Sequence, residues 1–217
     1  DLEKTCIEHD PATVIFVQVL GVPHHKDRLL ALSKKYNFTL LEDGCAALGA
    51  HYGPYVPPGT TARPKTMVGA VGKMASFSFY FGHQLATIEG GMVNTDDFDT
   101  YQTLLMLRSH GWGKDLEEKT YAGLMADNDV DTFHQPFTFF LPGFNVRGTD
   151  LQAYLGLRQI QKASWVTSQR HANHLRYAKN FEGLLSFQDW GENYPVSISF
   201  GALAKSKEQR TRIVKLM

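Results

Sequence analysis

The chain has 217 residues, 43% of them hydrophobic and 20% charged, which is room for one large domain or for one domain and part of another. Lys and Arg number 22 against 22 Asp and Glu, so binding of a polyanion through bulk charge is excluded, though a local phosphate site is not. No apolar run approaches the ~20 residues of a membrane helix, the start lacks signal-peptide regions, and two cysteines, Cys6 and Cys45, make no disulfide framework. A reducing cytoplasm is the expected compartment.

In chain order, Thr13 to Leu20 (TVIFVQVL) predicts a strand buried on both faces of a parallel sheet, ended by Gly21, Val22 and Pro23. His25 to Tyr36 predicts an amphipathic helix with Leu29, Leu30, Leu32 and Tyr36 inward and Lys34 and Lys35 at its negative end. Phe38 to Leu41 predicts a second strand, followed at once by Glu42 and Asp43. This βαβ unit places two acids where α/β sheets keep their chemistry, although a loop acid or helix cap would also explain Asp43. His51 to Lys65, rich in Gly, Pro and Thr, predicts a surface loop.

Ala75 to Tyr80 (ASFSFY) and Ile88 to Thr95 predict strands, and Asp97 to His110 a helix. Lys114 to Phe137 is polar and irregular. Helices are expected at Thr149 to Gln161, at Ser164 to Leu185 and from Lys207 to Met217, with a strand at Val196 to Phe200 between the last two. The composition shift near Ser164 marks the expected domain boundary.

Nine histidines form no HExxH and no Cys/His cluster, so no metal site is expected. GxSxG, GxxxxGK[ST] and GxGxxG are all absent, which removes the serine-hydrolase, P-loop and dinucleotide readings. One dense stretch remains, FSFYFGHQLATIEGG from Phe77 to Gly91. A hydroxyl (Ser78) and an imidazole (His83) at a strand exit, facing Asp43, could bind a phosphate and move a proton. An aromatic strand followed by a surface histidine is the alternative.

Glu42-Asp43, Phe77-Ser78-Phe79, Gly90-Gly91, Arg108-Ser109-His110-Gly111 and Gly143-Phe144-Asn145-Val146-Arg147 together resemble the DegT/StrS-type nucleotide-sugar aminotransferases. These are pyridoxal-phosphate (PLP) enzymes of the aspartate-aminotransferase fold. The resemblance implies an α/β, three-layer αβα fold of type I. It also implies an internal fragment, with residues 1–163 part of the large domain and 164–217 the start of the small one. His83 stands where the family usually carries its cofactor-linked lysine, and YFGH…TIEGGM resembles the histidine-bearing branch of GDP-4-keto-6-deoxymannose 3-dehydratases. An iron–sulfur relative is disfavoured, because no cysteine follows Cys45.

On that resemblance the cofactor is PLP or its amine, pyridoxamine phosphate (PMP), held without a covalent lysine link. His83 is the base, Asp43 the partner of the ring nitrogen and Ser78 a phosphate ligand. Asn145 reaches the phosphate from a partner subunit of a homodimer, and His110 and Arg147 are secondary or structural. The implied reaction removes the 3-hydroxyl of a nucleotide-linked 4-keto-6-deoxy sugar, with an amino donor such as glutamate. A sugar aminotransferase and a non-catalytic remnant that binds a sugar nucleotide or a partner are the alternatives.

Overall fold

A computed structural model describes residues 2–54 and 66–216. The expected loop from His51 to Lys65 falls largely outside these residues. Two compact units are present, Asp1–Val93 with Gln152–Met217, and Asn94–Leu151. Residues 164–217 therefore pack in the same unit as residues 2–93.

The first unit begins with a helix the sequence reading did not anticipate, α1 (Leu2–His9), then β1 (Thr13–Val17), a 3-10 turn (Val19–Gly21), α2 (Lys26–Tyr36) and β2 (Thr39–Asp43). Asn37, in the left-handed region, caps α2 and turns the chain into β2. β1 and β2 pair in parallel from Thr13↔Thr39 to Val17↔Asp43, the expected βαβ unit. Two short strands, β3 (His51–Tyr52) and β4 (Thr66–Met67), pair antiparallel, and β5 (Met74–Ser78) joins β2 in parallel. With β6 (Gly91–Asn94) the main sheet runs β1-β2-β5-β6.

Cys6 of α1, Leu29 of α2, and Phe38 and Leu40 at β2 form a core on one face of this sheet, with Val14, Phe16 and Leu32 packed against it. Each such aliphatic side chain contributes roughly 1.5–3 kcal/mol by leaving water. The other face differs from expectation. β1 is not buried on both faces: Ile15 is 66% and Val17 45% exposed. Both point to the face opposite the Cys6–Leu29 core, where among the described residues no buried cluster packs over β1.

The second unit holds α3 (Phe98–Leu107), capped by Asp97 through Thr100 N, and α4 (Glu118–Asp127). The stretch from Lys114 to Phe137 is thus partly helical. α4 fully buries none of its side chains, although Tyr121, Leu124 and Met125 stand at helical spacing; a Glu117 carboxylate accepting from Thr120 N starts it.

α5 (Asp150–Ile160) and α6 (Ala163–Phe181) follow, then β7 (Ser186–Phe187) paired with β8 (Ala202–Leu203), and α7 (Lys207–Leu216). The strand expected over Val196–Phe200 does not form. Val196 N and Ile198 N instead donate to Gly21 O and Leu20 O, while Tyr194 exchanges both backbone bonds with His51. A 3-10 turn and a two-residue strand offer no continuous edge, so the segment is a strap rather than a ladder.

Candidate active site

Asp43 ends β2, opposite Val17 of β1 and Ser76 of β5. Strand side chains alternate, so Asp43, Ser76 and Ser78 share the face that carries Ile15 and Val17, while Glu42 points to the other. Glu42 is buried and saturated. It accepts from Val71 N at 2.7 Å, Gly72 N at 3.0 Å, Gly69 N at 3.2 Å, Tyr52 OH at 2.9 Å and Gln18 Nε2 at 3.4 Å. That set anchors the end of β2 to three segments and makes Glu42 a structural acid.

Asp43 is only half-buried and its two hydrogen bonds both fall on Oδ1, from Cys45 N at 3.0 Å and Ser76 Oγ at 3.3 Å. Burial pushes its carboxyl up, but the bonds from Cys45 and Ser76 and the charge of His83 outweigh this and hold it below the usual value. Asp43 is therefore an anion, and the hydrogen bonds it accepts from Cys45 N and Ser76 Oγ both leave Oδ2 aside. Burial and the adjacent Asp43 push the Cys45 thiol up, which argues against a thiolate nucleophile here.

The loop after β5 is closed by Phe79, whose N–H donates to Gly90 O and whose carbonyl accepts from Thr87 N, both at 2.8 Å. Within it His83 N donates to Tyr80 O at 3.0 Å, and the edge of the imidazole meets the Tyr80 ring at 6.1 Å. Nδ1 of His83 is buried without a hydrogen-bond partner among the described residues. An orphan buried nitrogen is costly unless a ligand completes it. Ser78 Oγ accepts from Tyr80 N at 3.2 Å, which orients it at the strand exit. The structure thus brings Asp43 and His83 together and puts Ser78 on the same face.

His110, Asn145 and Arg147 lie together in the second unit. Their two segments run side by side: His110 N donates to Phe144 O, Phe144 N to Leu107 O, and Val146 N to Arg108 O. Gly111 permits that approach, since at φ +89° a β-carbon would lie 1.8 Å from Leu141 O. Arg147 Nη2 stands 3.5 Å from both His110 Nε2 and Asn145 Oδ1, and its guanidinium lies over the Trp112 ring. The two sequence motifs are one structural pair.

Sequence reasoning missed Ser76 and Gln84. Ser76 was legible in principle, because MASFS alternates and puts both serines on the Asp43 face. Gln84 gave no signal, since its partners are backbone carbonyls remote in sequence.

A largely parallel α/β sheet with a carboxylate, a hydroxyl and an imidazole gathered at its carboxyl edge is the architecture of a cofactor-binding α/β enzyme. The chain belongs to the DegT/DnrJ/EryC1/StrS aminotransferase family, whose profile matches residues 2–217. It is 32% identical over 173 residues to a GDP-4-keto-6-deoxy-D-mannose 3-dehydratase of Yersinia pseudotuberculosis, covering 80% of this chain and 41% of that one. Among solved structures, a histidine-to-asparagine mutant of GDP-4-keto-6-deoxymannose-3-dehydratase with bound GDP-perosamine superposes with a TM-score of 0.82 at 28% identity, over 99% of this chain and 53% of that one. The same enzyme with a trapped adduct of PLP and glutamate gives 0.77 at 27% identity, over 98% and 53%. The fold is that of the PLP-dependent enzymes of this family. The chain spans less than half the length of the curated relatives it matches.

Proposed function

We propose that the protein carrying this chain is a PLP- or PMP-dependent dehydratase that removes the 3-hydroxyl of a nucleotide-linked 4-keto-6-deoxy sugar. The observation that carries the reading is His83, a half-buried imidazole whose buried Nδ1 has no hydrogen-bond partner among the described residues, beside an ionised Asp43, at the position where the family usually has lysine. Lys73, the nearest lysine in sequence, precedes β5 at the end opposite Ser78, which disfavours the aminotransferase alternative.

The described residues fit the cofactor. Asp43, with Oδ1 taken by Ser76 and Cys45, keeps Oδ2 for a protonated ring nitrogen. Ser78 Oγ is a phosphate ligand, and Asn145 serves the phosphate of a partner subunit in a homodimer. When bound, the cofactor supplies an electron sink. His83 would accept a proton at Nδ1 and return one to the departing hydroxyl. The substrate is a sugar nucleotide and glutamate the amino donor, as the ligands of the solved relatives suggest. Residues 1–163 are assigned to the large domain and 164–217 to the small one by family likeness, although 164–217 packs in one compact unit with residues 2–93. Two free cysteines suit a cytoplasmic enzyme, and among the described residues no helix is long and apolar enough to cross a membrane.

The test is His83→Asn in the loaded full-length protein. Cofactor should remain bound, 3-deoxy sugar release should fall by about 100-fold or more, and borohydride should label no lysine in the parent. A pyridoxyl label on Lys73, or undiminished turnover in the variant, would refute the reading.

A further inference from the structure

Among the described residues no hydrogen bond holds the imidazole of His83. The ring has one aromatic neighbour, Tyr80, and a nitrogen without a protein partner among the described residues. Its placement therefore depends on how the backbone at residue 83 is fixed. The next residue supplies that fixation. Gln84 is buried, at 4% exposure, and its Nε2 donates to Ala46 O at 2.6 Å and to Val196 O at 2.9 Å.

These two carbonyls come from separate parts of the chain. Ala46 lies three residues beyond Asp43, in the tight turn where Ala47 N donates to Gly44 O and Cys45 N to the Asp43 carboxylate. Val196 sits in the strap that donates from its own N–H to Gly21 O. Gly21 fits closely there: a β-carbon at φ +85° would lie 2.3 Å from Val196 O and 2.6 Å from Ala46 O. One amide thus bolts the His83 loop to the Asp43 turn and to the strap. The donors must be Nε2, because both partners are carbonyls, and this leaves Oε1 buried without a partner among the described residues. A side chain kept buried with its acceptor unused is costly, so the two donated bonds are the reason for its presence.

We propose that Gln84 is the positioning residue of this site, setting the separation of His83 and Asp43 by its two bonds to Ala46 O and Val196 O. The proposal rests on the dehydratase reading for what His83 does, but not for where it stands. It also makes the seating of the strap a condition for a correctly placed base. The charge of His83 is already felt by the Asp43 carboxyl, which provides the gauge.

The experiment follows the Asp43 carboxyl titration by NMR with labelled aspartate in the full-length protein without cofactor. Four proteins form a cycle: parent, His83→Asn, Gln84→Met and the double variant. His83→Asn should raise the Asp43 midpoint. Gln84→Met should raise it as far although His83 is present, and the double variant should add nothing more. Gln84→Asn, one methylene too short to reach both carbonyls, should give an intermediate rise, and takes the place of Gln84→Met if that variant does not fold. An Asp43 midpoint unchanged from the parent in the folded Gln84 variant overturns the proposal. In the loaded enzyme kcat should fall by about 100-fold with KM unchanged, the usual result of misplacing a reacting group by about 1 Å. Absent turnover in the parent itself would sink the dehydratase reading, while the titration cycle would still decide the role of Gln84.

Discussion

Asp43 and Glu42 are adjacent in sequence and opposite in role. Glu42 is saturated by five donors, so its charge is spent on holding the backbone. Asp43 receives two bonds on one oxygen and keeps the other available. Replacement of Asp43 by Asn keeps the shape but removes the charge that faces the ring nitrogen. The expected outcome is a loss of turnover of about 100- to 1,000-fold, comparable to removal of one preorganised electrostatic partner. Thermal unfolding should move by no more than a few degrees, because a half-exposed amide of equal size changes little packing. Steady-state kinetics beside calorimetry check both halves. Near-native turnover would remove Asp43 from the role assigned to it.

At the scale of elements, the chemistry depends on what happens after each strand ends. β2 and β5 run parallel, and their exits carry Asp43 and the His83 loop to the same edge. In the second unit the segments of His110 and Asn145 meet across Gly111. Alanine at 111 would carry a β-carbon into Leu141 O and would be strained at positive φ. A Gly111→Ala variant should lose about 2–4 kcal/mol of stability, and the loss should be local to residues 94–151. Hydrogen exchange read by mass spectrometry would show it: faster exchange at Phe144 and Val146, with α1 and α2 unchanged. Uniform protection throughout would mean that the close approach tolerates a methyl group.

For the whole molecule, the decisive contacts join residues far apart in sequence. His51 and His171 sandwich the Tyr194 ring, stacked at 4.4 and 3.6 Å between centroids, and His171 bonds Pro195 O through Nδ1. Buried His174 bonds Ser197 Oγ at 2.6 Å and meets Trp190 edge-on. Burial pushes His174 down to about 4 and lowers His51 and His171 as well. A histidine held neutral in the folded state binds its proton more readily when unfolded. Its stabilisation is complete above about pH 6.5 and is lost as pH falls from there towards 4, about 3 kcal/mol for His174 alone. The urea midpoint should therefore fall between pH 7 and pH 5, with a change in Trp190 fluorescence as the strap loosens. His174→Gln should flatten that slope. An unchanged midpoint across this range would show that the histidines titrate freely.

By itself the sequence determined the βαβ start, the helix from Lys26, the placing of Asp43 at a strand end, and, through linked motifs, the family and its fold. Those readings are local: hydrophobic period, turn residues and short motifs are set by neighbours within a few positions. Tertiary structure alone decided four things. One face of β1 is exposed because burial depends on what packs over a strand, not on how apolar it is. Val196–Phe200 is a strap because a ladder needs a partner edge, which a 3-10 turn does not supply. How far α4 is buried was also set there: Tyr121, Leu124 and Met125 stand at helical spacing, yet each stays only partly covered. Asp43, Ser76, His83 and Gln84 come from two strands and one loop, and only folding sets their distances. The bonds that place His83, to Ala46 O and Val196 O, go to carbonyl groups every residue carries, and so no residue type in the sequence could mark them.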